Sequence, residues 1–294
     1  MLDINHKGSL ILKYLSFIRP DGQATIGKLA DESGNNKVIE LLAEHKSFTN
    51  LKKTLTENKL DQLDEGRIYS LDEITLLPPI PNPGKIFCIG LNYVTHVNET
   101  GLGKDAKYPV VFTRFADTLV AHGEPMLRPA ISEKFDYEGE LALIISKAGR
   151  AIPEQDAFNY IAGYSCFNDG SVRDWQRHAT QYTPGKNFPA TGGFGPYMVT
   201  PDEIPDIEKQ HVQTRLNDEI VQDQPISDLI FPIPFLVNYI STFTFLQPGD
   251  LIVTGTPGGV GGARKPPLWM KDGDTVEVSI GEIGTLTNPI LEES

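Results

Sequence analysis

Leu141-Ala142-Leu143-Ile144-Ile145 is an unbroken apolar run with two glutamates just ahead of it, Glu138 and Glu140, separated by Gly139. A short apolar run of this kind reads as a strand buried on both faces. Such a strand needs partners at both edges and a covering layer on each face, so the chain must build a layered core around it. Side chains alternate along a strand, so Glu138 and Glu140 point the same way. Two like charges side by side are unfavourable unless a positive charge lies between them. Two readings follow: the pair lines the solvent face of an edge strand, or it holds a divalent metal ion.

The rest of the chain is punctuated by 27 glycines and 22 prolines. Residues 9–17 and 24–29 read as a hairpin about Pro20-Asp21-Gly22. Residues 37–63 carry helix-like spacing at Val38, Leu41 and Leu42, then at Leu51, Leu55 and Leu60. Pro78, Pro79, Pro81 and Pro83 resist both helix and sheet interior. They mark the boundary between a small N-terminal domain, 1–77, and a main domain, 78–294. In the main domain, 85–90, 109–113, 161–168, 197–200, 212–216, 250–254, 274–280 and 285–290 read as strands. Residues 153–160, 172–178 and 230–246 read as helical, and 181–196 as irregular. Short strands with Gly/Pro turns and few long helices predict a β-rich α+β fold.

The formal net charge of −13 argues against a nucleic-acid partner, which needs a basic face. An anionic small substrate is still compatible, because a few local cations or a metal can invert the field in one pocket. Cys88 and Cys166 are far apart and form no paired motif, which fits buried thiols in a reducing compartment. The N-terminal residues lack a signal-peptide core, and no apolar run approaches the ~20 residues that span a bilayer. A cytoplasmic protein without membrane contact is expected.

Four clusters carry chemistry. Asp169, at the end of a predicted strand, joins Glu138 and Glu140 in a hard, all-oxygen set that suits Mg²⁺, Mn²⁺ or Ca²⁺. Zinc fits less well, since no His/Cys ligand set accompanies them. His96 and Glu99 stand at i and i+3, where a carboxylate can orient an imidazole as a general base or simply form a surface pair. Gly101 and Gly103 after them would permit a mobile lid or an ordinary loop. Arg173 and Gln176, also i and i+3, supply donors with Lys186 for a carboxylate or keto oxygen, unless they form a solvated helix face. Thr254-Gly255-Thr256-Pro257 ends a strand in a Gly-rich loop whose N–H groups and Thr256 hydroxyl could bind an anion. It lacks the Gly-Lys-Ser/Thr of a nucleotide-binding loop.

Five motifs in order extend these clusters: Ile89-Gly90-Leu91-Asn92-Tyr93 with His96, Asp136-Tyr137-Glu138-Gly139-Glu140-Leu141, Asn168-Asp169 with Arg173-Asp174 and Gln176, Gly185-Lys186, and Thr254-Gly255-Thr256-Pro257 with Gly259-Val260-Gly261. Over residues 78–291 the chain thereby resembles the fumarylacetoacetate hydrolase family. The resemblance implies a mixed β-sandwich or β-roll around a metal site, usually in a homodimer. It implies Glu138, Glu140 and Asp169 as metal ligands and His96 with Glu99 as a general-base dyad on a lid. Arg173, Gln176, Lys186 and Thr256 match positions that bind substrate oxygens.

Two departures stand out. Lys186-Asn187-Phe188-Pro189-Ala190-Thr191 replaces the Lys-x-Phe-Asp-Thr of many members that cleave acylpyruvates. Ile89 stands where the founding hydrolase has an aspartate ligand, so a three-carboxylate site is expected. The activity implied first is metal-dependent C–C hydrolysis of a β-diketo acid of acylpyruvate type, on a small anionic 2-keto acid substrate. Lys186 would then stabilise the tetrahedral oxyanion. Oxaloacetate decarboxylation and 2-oxo-dienoate hydration or tautomerisation could use the same site. A non-catalytic metal-binding scaffold is the outside alternative, against which intact His96, Glu99 and Lys186 argue.

Overall fold

The computed structural model describes residues 11–30, 36–44, 49–102 and 106–294. Residues 9 and 10 of the expected hairpin, 45–48 of the stretch with helix-like spacing, and Gly103 lie outside these described residues. The N-terminal part runs through β1 (Lys13–Ile18), β2 (Ala24–Leu29), β3 (Lys37–Leu42), helix α1 (Leu51–Thr56), β4 (Asp64–Ser70) and β5 (Thr75–Leu77). β1 and β2 form the expected antiparallel hairpin. The helix-like spacing of 37–63 resolves otherwise. Residues 37–42 are a strand because Val38 and Ile39 favour one and because β2 and β4 pair with both of its edges. Among the described residues of that stretch, α1 is the α-helix, started by Asn50, whose side chain accepts the Lys53 N–H at 2.8 Å, and Leu60–Gln62 wind as a 3₁₀ turn.

The next segment holds β6 (Ile86–Gly90), α2 (Val94–Thr100), β7 (Val110–Thr113), β8 (Leu119–Val120), β9 (Met126–Arg128), β10 (Phe135–Asp136) and β11 (Gly139–Ile145). Then come β12 (Ile161–Asp169), β13 (Ser171–Val172), α3 (Arg173–Gln176), α4 (Thr183–Lys186) and β14 (Gly192–Val199). The last part holds β15 (His211–Leu216), β16 (Glu219–Pro225), α5 (Ile233–Phe243), β17 (Leu251–Val253), β18 (Thr275–Ile280) and β19 (Gly284–Glu292). Residues 154–160 wind as a 3₁₀-helix, and α5 is shorter than expected because Pro232 caps it and the chain turns extended at Thr244. The stretch read as irregular over 181–196 contains a helical turn, α4, and the start of β14, whose glycines hide its strand character.

One large sheet runs β4-β3-β2-β1-β14-β12-β11-β17-β6-β7, and a second runs β16-β15-β18-β19-β9. β11 lies inside the large sheet between β12 and β17. Leu141, Leu143 and Ile145 pack toward Val212, Val278 and Leu286 of the second sheet and Leu236 and Ile240 of α5. Ala142 and Ile144 pack toward the opposite face, with Cys88, Phe167, Phe194 and the α1 residues Leu51 and Leu55. Both faces are covered, which is why the run is apolar at every position. β1 pairs with β14, and Tyr14 and Ile26 share the second cluster, so residues 13–77 extend the main sheet and its core.

Gly139 is where the two sheets approach most closely beside the glutamates. A Cβ there would lie 2.0 Å from Thr214 Oγ1 and 3.3 Å from Val278 Cγ1. Thr214 is fully buried, and its hydroxyl has no hydrogen-bond partner. Gly139→Ala should therefore destabilise the fold by about 1–3 kcal/mol through overpacking. Thr214→Ala removes the clashing oxygen and an unsatisfied buried group, so the double variant should recover most of that loss. Urea midpoints of the two single variants and the double variant check both statements; a Gly139→Ala protein as stable as the parent would refute the tight contact.

Candidate active site

The register of β11 with β12 sets Gly139 opposite Asn168 and Glu140 opposite Phe167. One step further, the Asp169 N–H donates to Glu138 O at 2.8 Å, and the Glu138 N–H donates to Asn168 Oδ1 at 3.0 Å. Asp169 is thereby held against the glutamate pair. Oxygens of Glu138, Glu140 and Asp169 all lie within 4.8 Å of one another. The three residues are 5%, 2% and 0% exposed, which excludes the solvent-face reading of the glutamates.

Three cations compensate this cluster. Lys186 Nζ lies 2.5 Å from Glu138 Oε2, 2.6 Å from Asp169 Oδ2 and 3.2 Å from the Asp169 carbonyl, so its three hydrogens are committed. Arg173 bridges Glu138 Oε1 and Asp136 Oδ2, each at 2.7 Å. Arg114 donates to Asp169 Oδ1 at 2.7 Å and to Thr191 Oγ1 at 2.7 Å. Among the described residues no cation pairs with Glu140, whose Oε2 accepts the Gly255 N–H at 2.6 Å. Four buried carboxylates face three cations, and the uncompensated charge falls on Glu140. Burial, then Asp169 and Glu138, push the Glu140 carboxyl well above the ordinary range. Burial also works against ionisation of Glu138, but Arg173, Lys186 and His96 overcome it and bring that group down to about 2.

The Gly-rich segment after β17 binds anions, and those anions are the protein's own. Gly255 N–H serves Glu140, Gly259 N–H serves Glu99 Oε2 at 2.8 Å, and the Gly261 and Gly262 N–H groups serve Asp136, each at 2.8 Å. Gly258 N–H donates to Thr95 Oγ1 at 3.0 Å. Thr256 donates its hydroxyl proton to Gly139 O and accepts from Gln222, each at 2.9 Å, so that proton is committed inside the fold. On α2, His96 Nδ1 lies 2.7 Å from Glu99 Oε1, and His96 is 6% exposed. Thr95 and Glu99 thus fix α2, and its imidazole, against the loop. The His96 Nε2 atom has no hydrogen-bond partner among the described residues.

A cavity of about 350 Å³ opens at this point, lined by His96, Glu99, Glu138, Glu140, Arg173, Gln176, Lys186 and Thr256. Eight of the nine site residues expected from sequence line it, and Asp169 lies directly behind Lys186. Ile89, Leu91, Leu102, Phe112, Tyr182 and Val260 give it an apolar wall. Arg173 Nη2 is buried without a partner among the described residues, an orphaned donor beside the cavity. Arg114, Asp136 and Gln222 were not anticipated as part of the site. Asp136 sits two residues before Glu138 and could have been read from the same alternation. Arg114 lies 55 residues from Asp169, with no local pattern that announces it.

The residues fit a divalent cation. Their donors are all oxygen, the set carries an excess negative charge at Glu140, and each carboxylate oxygen keeps a lone pair beyond its protein contact. A buried carboxylate triad and a His–Glu pair thus face one pocket on a β-rich fold. Residues 85–291 match the fumarylacetoacetate (FAA) hydrolase C-terminal family, and the chain belongs to it. It is 35% identical over 300 residues to oxaloacetate tautomerase fahd2, mitochondrial, of Xenopus laevis, covering 98% of this chain and 93% of that one. It is 39% identical over 258 residues to oxaloacetate tautomerase YisK of Bacillus subtilis, covering 86% of each. Among solved structures, 2-hydroxyhepta-2,4-diene-1,7-dioate isomerase of Mycobacterium marinum superposes with a TM-score of 0.79 at 30% identity, over 96% of this chain and 99% of that one.

Glu140 offers a test of the cation site. Its raised pKa means that folding favours its protonated form. That contribution stabilises the metal-free fold at low pH and is lost as pH rises above the ordinary value of 4.5. Metal-free Glu140→Gln should therefore melt higher than the metal-free parent at neutral pH. It should also bind Mn²⁺ about tenfold more weakly or worse by calorimetry. Unchanged Mn²⁺ affinity would remove Glu140 from the ligand set.

Proposed function

We propose that this protein is a divalent-metal-dependent tautomerase that interconverts the keto and enol forms of a small 2-oxo acid, with oxaloacetate the first candidate. One observation carries the reading: the His96 base faces the cavity beside the carboxylate triad, while the Lys186 hydrogens are all committed to Glu138 and Asp169. Hydrolysis of an acylpyruvate needs a donor aimed at a tetrahedral oxyanion, the part the sequence assigned to Lys186. Enolisation needs only a base and support for the enolate oxygen. The two relatives named oxaloacetate tautomerase, alike to this chain over most of its length, support the same choice.

The residues divide the work as follows. The orphaned Arg173 Nη2 and the Gln176 amide receive substrate oxygens. His96 Nε2 takes a proton from the carbon next to the keto group. Glu99 Oε1, on Nδ1, stabilises the imidazolium, and its Oε2, on Gly259 N–H, holds the pair in place. The proton is returned on the oxygen side, so no carbon–carbon bond breaks and no water is added. A divalent cation held by Glu138, Glu140 and Asp169, Mg²⁺ or Mn²⁺ by ligand type, would supply Lewis-acid support to the substrate oxygens.

Ultraviolet decay of oxaloacetate enol, CO₂ release from oxaloacetate and cleavage of acylpyruvates, each with and without a chelator, separate the candidate reactions. Enolisation should be fastest and should fall on metal removal. His96→Ala should lower its kcat by about 10²–10⁴-fold with the fold intact. Acylpyruvate cleavage faster than enolisation would restore the hydrolase reading.

A homodimer in the cytoplasm completes the proposal. Phe231, Phe235, Tyr239 and Phe243 form a continuous row of ring contacts along α5, joined by Tyr108, and Tyr108 and Phe243 are 65% and 53% exposed. An exposed aromatic row of this kind favours burial in an interface. Both cysteines are buried and unpaired, as suits a reducing compartment. No helix among the described residues is long and apolar enough to cross a membrane. Sedimentation should give twice the chain mass for the parent and a shift toward the single chain for Phe243→Asp.

A further inference from the structure

α3 is a single helical turn ending at Arg177, and Arg173, Gln176 and Arg177 stand on it at i, i+3 and i+4. Positions so spaced share one face, and all three residues line the cavity. Trp175 anchors the turn elsewhere, its ring 5.4 Å from that of Phe188 and 4.8 Å from that of His178. Three permanently cationic side chains line the cavity: Arg173, Lys186 and Arg177. The first two are committed to buried carboxylates. Arg177 is exposed and has no partner among the described residues. From the triad outward, the wall passes from saturated cations, through the orphaned Arg173 Nη2, to a free guanidinium.

Ile89, Leu91, Leu102, Phe112 and Val260 in the same lining offer nothing to a second charged end of a ligand, and Tyr182 and Thr100 offer it no charge. On a chain of net charge −13, capture of an anion needs a local cation. We infer that Arg177 is a specificity-determining residue that takes the distal carboxylate of a dicarboxylic 2-oxo acid whose near end lies at Arg173 and the triad. This deepens the tautomerase reading and rests on it for the identity of the near end. It names the substrate class as acyclic diacids, with monocarboxylic 2-oxo acids disfavoured. Guanidinium and carboxylate match in planar, two-pronged geometry, so lysine is an incomplete substitute.

The test is calorimetric binding to the Mn²⁺-loaded protein of two inert pairs: malate against 2-hydroxybutyrate, and 2-hydroxyadipate against 2-hydroxyhexanoate. Within each pair only the distal carboxylate differs, and the two lengths allow for the depth of the cavity. The parent should bind the diacid about tenfold more tightly in at least one pair, as loss of one charged hydrogen bond implies. Arg177→Leu should abolish that preference and leave monoacid affinity unchanged, while Arg177→Lys keeps part of it. A preference that survives in Arg177→Leu, a parent without preference, or an equal loss for both members of a pair would overturn the assignment. Binding is read without turnover, so the two proposals fail separately. An Arg177-dependent preference without oxaloacetate enolisation sinks the tautomerase alone. Enolisation with a preference indifferent to Arg177 sinks the subsite alone.

Discussion

The Lys186 ammonium, fully buried between Glu138 and Asp169, is the interaction on which the rest of the site depends. Burying carboxylates costs several kcal/mol per ion unless the geometry of their partners is good. The chain meets that condition with local devices. The β11–β12 register brings Asp169 to Glu138. Gly185 lets α4 press on α3, since a Cβ there would lie 2.3 Å from the Gln176 backbone. The close approach delivers Lys186 and Arg173, from adjacent turns, to the two oxygens of Glu138, from which Lys186 reaches on to Asp169 and Arg173 to Asp136. Arg114, reaching from beyond β7, closes the far side of Asp169. Take away the lysine and two buried carboxylates lose a shared partner.

A second device is the glycine-rich loop after β17. Its N–H groups hold Glu140, Glu99 and Asp136, three carboxylates from three different elements, and its Gly258 N–H holds Thr95. The loop thereby fixes the carboxylate triad, the His96–Glu99 pair and the Asp136 anchor of Arg173 relative to one another. A side chain doing the same work would add rotamer freedom; a backbone carries none. The hydrogen bond from Gly259 to Glu99 also means that the dyad is complete only while α2 lies against this loop.

Much of this was legible from sequence, for identifiable reasons. β11 announced itself because burial on both faces demands an unbroken apolar run, and the glutamates because alternation aligns them. The hairpin of β1 and β2 was marked by its turn. What escaped was decided at long range. Residues 37–42 look helical in isolation and become a strand only because β2 and β4 supply ladders on both sides. Arg114 follows a short strand without any periodic signal, and its role exists only once β12 and β14 bring Asp169 and Thr191 beside it. The loop at 254–257 was read as able to bind an anion through its N–H groups and the Thr256 hydroxyl; the Gly255 N–H does hold a carboxylate, but an internal one, and the hydroxyl is spent on Gly139 O.

The balance of charge explains how so acidic a chain can serve an anionic ligand. The cations nearest the triad neutralise protein carboxylates and leave Glu140 over. Without a further positive charge, the floor of the cavity repels a carboxylate. With a divalent ion on the three ligands, the sign of that floor reverses, and the pocket then attracts the end of a ligand able to offer two oxygens. Arg173 Nη2 and Arg177 extend the positive field along α3 to the exposed end of the turn, and the apolar residues that share the cavity strengthen any ion pair formed in it. A negative net charge over the whole surface and a positive path into one pocket are therefore compatible, because the first is screened over about 10 Å and the second acts within contact distance.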